Sequence, residues 1–413
     1  MSDNRKSGSS GPLPVTAQGG GSARRNVTLL SAGLALSMSG GILVMTVTAL
    51  TGTMLAPSPE LATLPLTVQF IMTMATTIPA SLFMRRVGRR VGFSVGQIIG
   101  VIGALVSCYA IFEHNFWLFV VGGGLIGSHN AFWQYYRFAA ADTASADFKS
   151  RAISYVMAGG VVAAILGPEL ARYSRDLFEP IMFAGPYAVL AALSLCTLLL
   201  LQFIRIPGLT VEERKDSGRP LRVIARQPAF IVAVLSAMLG YAVMSFVMTA
   251  TPLAMAACDH GFGDTAFVIQ WHALGMTVPS FFTGHLIRRF GVLTIIKIGA
   301  LLNLGTVIVG LSGIDVTEFF LALLFLGVGW NFMFVGGTTL LTEAYTPAER
   351  NKVQALNDFL VFGLVSVASL GAGAIQNLWG WEAINMMVIV PTLIAFLAAL
   401  WLRLFNGRNK AAD

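Results

Sequence analysis

Ser81-Leu82-Phe83-Met84-Arg85-Arg86-Val87-Gly88 returns in the second half of the chain, in register, as Gly284-His285-Leu286-Ile287-Arg288-Arg289-Phe290-Gly291. Each octet closes a long apolar run with paired arginines and a glycine. The same punctuation at matching places in two series of apolar runs marks an internal repeat, a chain built from two similar halves.

Working outward from the octets, apolar runs of roughly 20 residues recur along nearly the whole chain, the length a helix needs to cross hydrocarbon at 1.5 Å per residue. They predict spans at 28–50, 61–84, 91–112, 116–138, 151–172, 181–204, 227–250, 263–287, 292–312, 317–341, 352–375 and 381–404. The 413 residues are 55% hydrophobic and only 11% charged, with mean hydropathy +0.74. That is far more apolar than a soluble globular chain. The expectation is an all-α integral membrane protein of about twelve transmembrane helices in two six-helix halves.

The first 23 residues are rich in Gly and Ser and carry no apolar core, so 1–26 reads as a disordered tail. A six-helix bundle over 27–204 follows. The polar stretch 205–226, with Glu212, Glu213, Arg214, Lys215 and Asp216 in a row, reads as the linker to a second bundle over 227–404 and a short tail, 405–413.

The net charge of +7 lies in short loops rather than on one basic face, which argues against nucleic acid. With Met1 in the cytoplasm, Arg24, Arg25, Arg85, Arg86, Arg89, Arg90, Lys149, Arg151, Arg288, Arg289, Arg350, Lys352, Arg403, Arg408 and Lys410 all fall inside. The outer loops keep only Arg172 and Arg175, so the positive-inside rule puts both termini in the cytoplasm. Cys108, Cys196 and Cys258 are three and far apart, which gives no disulfide framework. No glycine-rich phosphate cradle with a lysine follows a strand. The chain reads as a transporter driven by a gradient, not an enzyme, with no cofactor.

The Gly-containing turn with clustered arginines between spans 2 and 3, repeated between spans 8 and 9, resembles the cytoplasmic loop signature of the major facilitator superfamily. The resemblance covers the chain beyond the tail. One departure is that the superfamily usually has Asp where this sequence has Arg85 and Arg288, which puts the usual charge pairing of that loop in doubt. The resemblance implies a substrate site near mid-membrane between the halves, exposed alternately to each side as one half rocks against the other.

Within the spans, Met244-x-x-x-Met248 on span 7 and His272-x-x-x-Met276 on span 8 each place a pair on one helix face. An antiparallel hairpin would let the two pairs form a ladder. Thioethers and imidazole suit Cu(I), whereas hard cations want oxygen ligands. Taken alone, Met244 and Met248 fit packing better than ligation; His272, an ionisable residue inside a span, shifts the balance. The paired motifs look like those of the CcoA-type copper importers, which are similar in turn to riboflavin transporters. That resemblance implies Met244, Met248, His272 and Met276 as copper ligands, and copper import for assembly of haem–copper oxidase. Cys258, in the outer loop, is a candidate to pass the ion inward as a thiolate.

Fewer signals attach to His129, Asn130, Gln134 and Arg137 on span 4, Glu169 on span 5, Asn331 on span 10 and Asp358 on span 11. His129 and Glu169 are candidates for proton coupling. Trp133, Tyr135 and Tyr136 suit interfacial anchoring better than stacking of a flat solute. Ala163-Ala164-Ile165-Leu166-Gly167-Pro168 faintly resembles the helix 5 motif of superfamily antiporters. The expectation is therefore copper, as Cu(I), carried across a bacterial inner membrane by a monomer whose partners are the ion and the lipid bilayer. Uptake of riboflavin or another organic solute is the alternative, and proton-coupled drug export a third.

Overall fold

The computed structural model describes residues 19–136, 139–140, 146–205, 218–346 and 349–412. The tail before Gly19, Arg137 and most of the linker, with its run of charges, lie outside the described residues. Among the described residues six long helices belong to the first half: α1 (Gly19–Leu55), α2 (Leu64–Val87), α3 (Arg89–Phe112), α4 (Phe116–Trp133), α5 (Ala146–Ser174) and α6 (Ala184–Leu201). The second half, after one short turn at Leu221–Ile224, holds α7 (Pro228–Ala257), α8 (Phe262–Thr277), α9 (Ser280–Phe290), α10 (Val292–Gly310), α11 (Val316–Thr342) and α12 (Arg350–Ala412).

Two places differ from the spans read in the sequence. Span 8 is broken into α8 and α9, because Pro279 has no N–H to give to the carbonyl one turn back. Spans 11 and 12 run together in α12, broken at Gly380, whose φ of 76° a residue with a side chain would resist. Among the described residues, eight helices are long and apolar enough to cross a membrane by length and composition, and one of them is the 55-residue stretch Lys352–Asn406 that contains both of those spans. Span 8, split at Pro279, leaves pieces of 16 and 11 residues, each too short to cross by itself.

The repeated octets have one local physical basis. Gly88 and Gly291 sit at φ 88° and 83°, a backbone only glycine adopts freely. Their N–H groups close the preceding helices on Met84 and Ile287. Each glycine turns the chain straight into the next helix, so the arginines cluster at one end of both halves.

In the first half α1 packs on α5 and α6, α3 on α4 and α6, and α2 on α4. In the second, α7 packs on α12 and α11, α10 on α11 and α12, and α8 on α11. Helices approach very closely where glycine allows it. A Cβ at Gly127 would lie 2.1 Å from the Gln69 carbonyl on α2, and one at Gly327 would lie 2.5 Å from the His272 carbonyl on α8. Between the halves, α2 meets the first part of α12 and α5 meets α8. Exchanging the halves turns one of these contacts into the other, as a two-fold relation requires.

Candidate functional site

The largest apolar cluster crosses from one half to the other. It joins Ile42 of α1 and Ala163 and Ala164 of α5 to Met244, Met248 and Met255 of α7 and to Leu323 and Leu326 of α11. Met38, Met45, Tyr241, Met276 and Trp330 pack against it. A second cluster, also spanning both halves, brings Phe70 of α2 against Ala237 of α7 and Val361, Phe362 and Val365 of α12, with Met45, Met74, Met238, Tyr241 and Phe334 at its edge. Tyr241 belongs to both.

Around Tyr241 four rings form a box. Trp330 and Phe334, one turn apart on α11, stack with centroids 5.0 Å apart and planes 10° apart. Tyr241 meets Trp330 edge-on at 5.4 Å, Phe334 at 5.5 Å and Phe362 at 5.6 Å. Such edge-to-face and offset pairs follow from the ring quadrupoles. The indole Nε1 of Trp330 is buried without a hydrogen-bond partner. One and two turns along α7 from Tyr241, Ser245 Oγ and Thr249 Oγ1 are also buried and unpartnered, as are Ser369 Oγ and Gln376 Oε1 on α12, the helix packed on α7. Buried polar atoms are normally paired, so a run of unpaired ones beside an aromatic box at the seam of two bundles suits a polar, flat guest. Sequence reading passed over this set. Its one local signal was the four-residue spacing of Trp330 and Phe334.

The copper motifs fall partly in this region. Met244 and Met248 are 2% and 4% exposed in the shared cluster, and Met276 packs against it. Of the two motif helices, α8 packs chiefly on α11 and α5 and only lightly on α7. His272 is fully buried, its Nδ1 2.8 Å from the Leu323 carbonyl of α11. A carbonyl only accepts, so Nδ1 carries the proton and Nε2 is left as a buried acceptor without a partner. Cys258 caps α7, and burial together with the charge of Asp259 pushes its thiol pKa up, away from the thiolate. Among the described residues no group of three or more His, Cys, Asp and Glu side chains is placed to hold a metal ion.

Other polar residues are placed by their partners. His129 is buried on α4 with Nδ1 3.0 Å from the Gly96 carbonyl and Nε2 unpartnered. Glu169 lies at the surface, 3.8 Å from Arg172. Asn331 bridges the break in span 8, donating to the Met276 carbonyl at 2.7 Å and to Ser280 Oγ at 2.6 Å and accepting from Thr283 Oγ1 at 2.7 Å. Asp358 accepts from Asn357. Tyr136 is no interfacial anchor: it is fully buried, edge-on to Phe93 at 4.7 Å, and accepts from Gln97 Nε2. Trp133 donates to Asn130 Oδ1 and Tyr135 to the Thr77 carbonyl, so all three aromatics build the first bundle.

The halves close on each other at the end away from the termini. Thr63 donates to the Leu370 carbonyl at 3.4 Å, and Asn377 to the Pro59 carbonyl at 2.9 Å. Across the molecule, the guanidinium of Arg175 lies 5.5 Å from the ring of Phe262 and 5.7 Å from that of Phe183. At the opposite end, the last residues of the linker are clamped by Glu349. Arg219 Nε and Nη2 each reach its carboxylate at 2.8 Å, the Arg219 backbone N–H at 2.7 Å and the Thr346 N–H at 2.9 Å. Arg219 and these N–H groups hold the Glu349 carboxyl well below the usual carboxylate range.

Comparison with known proteins fits this architecture. A family model for the Major Facilitator Superfamily matches residues 28–302 and 237–412. The riboflavin transporter RfnT of Brucella anthropi is 43% identical over 393 residues, 95% of this chain and 98% of its own. Two uncharacterised MFS-type transporters of Bacillus subtilis, YddS and YdeG, are each 29% identical over 77% of this chain, and over 77% and 78% of their own lengths. Among solved structures, a mutant of the nucleoside transporter NupG superposes with a TM-score of 0.67 at 12% identity, over 90% of this chain and 99% of that one, a likeness of fold. These findings correct the expectation of copper import. A relative matching nearly end to end at 43% identity is a riboflavin transporter, which favours the organic-solute alternative.

Proposed function

This chain belongs to the major facilitator superfamily, and from that premise we propose that it takes up riboflavin, or a solute built on the same flat heteroaromatic ring, across a bacterial inner membrane. The observation that carries the reading is the near full-length identity to a riboflavin transporter. The chemistry of the seam supports it. A planar ring system with carbonyl and imine acceptors suits the Trp330–Phe334 stack beside an unpaired indole N–H. Hydroxyls of a polyol side chain suit the unpaired oxygens of Ser245, Thr249 and Ser369. Met38, Met45, Met244, Met248 and Met276 around the box offer polarisable sulfur to an aromatic guest and can repack as it passes. With no nucleotide-binding loop in the sequence, the driving force is a gradient. The arginine distribution puts both termini in the cytoplasm, and the structure then has its outer end closed.

The test is radiolabelled riboflavin uptake in a bacterium that can neither make nor import the vitamin, with and without this protein, together with growth at low riboflavin. Uptake above the empty control, competed by flavin analogues and not by ribitol alone, is the expected result. A chain well expressed in the membrane that gives neither uptake nor growth would overturn the reading.

A further inference from the structure

Lys297 is a charge inside an apolar wall that the transport reading leaves unused. It lies five residues past Val292, the first residue of α10, about 8 Å along the helix from the end that carries the termini. Its stripe on α10 continues through Leu301 and Ile308, which are 53% and 71% exposed, so it faces the surface that lipid covers. The residues on either side of it make the α10–α12 contact. Ile296 packs in one cluster with Ala399 and Leu402, and Ala300 in another with Ala395 and Phe396.

The ammonium therefore emerges at the α10–α12 seam, where the charge of Arg403 on α12 acts on it. Two cations within each other's reach, one of them rising out of a hydrophobic helix, repel and are costly in hydrocarbon unless an anion joins them. Neither of the two helices supplies one there. No Asp or Glu occurs between Asp264 and Asp315 or between Glu382 and Asp413. Among the described residues neither Lys297 nor Arg403 enters an ion pair, and Glu349, at the same end of the molecule, is engaged by Arg219. On another face of α12 at the same depth as Arg403, Trp401 is half exposed and stacks on Phe405 with centroids 5.6 Å apart, an arrangement typical of the headgroup level.

We propose that Lys297 and Arg403 bind the phosphate of an anionic phospholipid in the leaflet on the termini side. Its acyl chains run along Leu301 and Ile308. A free phosphate ion would satisfy the two charges but would gain nothing from the apolar stripe, which is why a lipid is the occupant argued for. The inference stands apart from the identity of the transported solute.

The test uses purified full-length protein in zwitterionic detergent, titrated with phosphatidylglycerol, phosphatidylcholine or inorganic phosphate, with bound lipid read by native mass spectrometry. Phosphatidylglycerol should bind in preference to phosphatidylcholine, and inorganic phosphate should not displace it at equal concentration. At about one unit charge each near the headgroup surface, Lys297→Gln and Arg403→Gln should each weaken binding about fivefold, and the pair about 25-fold. Lys297→Arg should bind as the parent does, which separates loss of charge from loss of fold, and Arg289→Gln, at the same end on α9, should change nothing. The proposal is overturned if the double variant holds phosphatidylglycerol like the parent, if phosphatidylcholine binds equally, or if inorganic phosphate competes as an equal.

Discussion

Replacing Trp330 by Phe isolates one atom of the candidate site. The indole Nε1 is buried and has no partner, so removing it breaks no hydrogen bond inside the protein. A buried donor left unpaired costs about 1–3 kcal/mol, and its removal offsets the packing lost with the smaller ring. The six-membered ring that remains can keep the stack on Phe334, now at 5.0 Å, and the edge contact with Tyr241. If the indole N–H donates to a carbonyl or ring nitrogen of the flavin, that bond contributes about 0.5–1.5 kcal/mol net. Trp330→Phe should then raise the KM for riboflavin uptake about 2- to 13-fold, with the melting temperature of the purified protein little changed. Trp330→Ala is the poorer test, since the cavity alone costs about 3–5 kcal/mol and would confuse folding with binding. Initial uptake rates over a range of riboflavin concentrations, beside a thermal melt of the same preparation, decide the matter. A variant with parental KM, or one whose KM rises only as its melting temperature falls, would show that the indole N–H does not bond the flavin.

Asn331→Leu should destabilise the protein by about 1–3 kcal/mol, because it leaves the Met276 carbonyl at the break in span 8 without its donor; a thermal melt reads this directly. Gly327→Val should lower stability by about 1–3 kcal/mol through overpacking, since its Cβ would meet the His272 carbonyl at 2.5 Å; unchanged melting would mean that α8 and α11 can separate freely. Arg175→Ala combined with Asn377→Ala removes two contacts that hold the halves together at the end away from the termini. A cysteine placed at Ser245, with Cys108, Cys196 and Cys258 replaced, should then react faster with an impermeant thiol reagent applied from that side, and an unchanged rate would show that closure rests elsewhere. Glu349→Gln should free the end of the linker, seen as faster proteolysis near Arg219. Because the folded carboxyl is held below its ordinary pKa of 4.5, its stabilising effect is complete above that pH and is lost as the pH falls beneath it towards the folded value. The parent should therefore resist proteolysis there at pH 7 and yield at acid pH, whereas the Gln variant should show no such change.

The fold was legible because a membrane span is written in a run of residues rather than in any one of them. The paired octets added the two-fold relation, since Gly88 and Gly291 do the same conformational task in each half. What escaped was where a span bends. Pro279 and Gly380 were visible, but whether a proline splits a helix or a glycine joins two depends on neighbours such as Asn331, which repairs the break across 55 residues of chain. The site was less legible for the same reason. Tyr241, Trp330 and Phe362 come from three helices distant in sequence, and no spacing rule connects them. The Met and His spacings are strong local signals, and Met244, Met248 and Met276 lie in or against the apolar cluster at the seam. A thioether on a buried face serves a soft metal ion or an aromatic guest equally well, so spacing alone could not choose the cargo.

Some buried polar atoms are paired by the fold itself, and others are left open, at the seam and also inside single bundles, as at His129 Nε2 and Asn303 Oδ1. Asn331 uses both its donor and its acceptor, and Glu349 accepts on both oxygens, so each is accounted for by the fold alone. Trp330 Nε1, Ser245 Oγ and Thr249 Oγ1 are equally buried and bear no such bonds. In water-free surroundings an unpaired polar atom is a standing cost, and helices this tightly packed had other ways to fill the space. If the proposed solute binds there, the several such atoms beside one aromatic box, at the seam where the halves part, gain the partners that the bundle does not give them. They gain them only while the seam is closed, so binding of the guest and closure of the halves around it are favoured together.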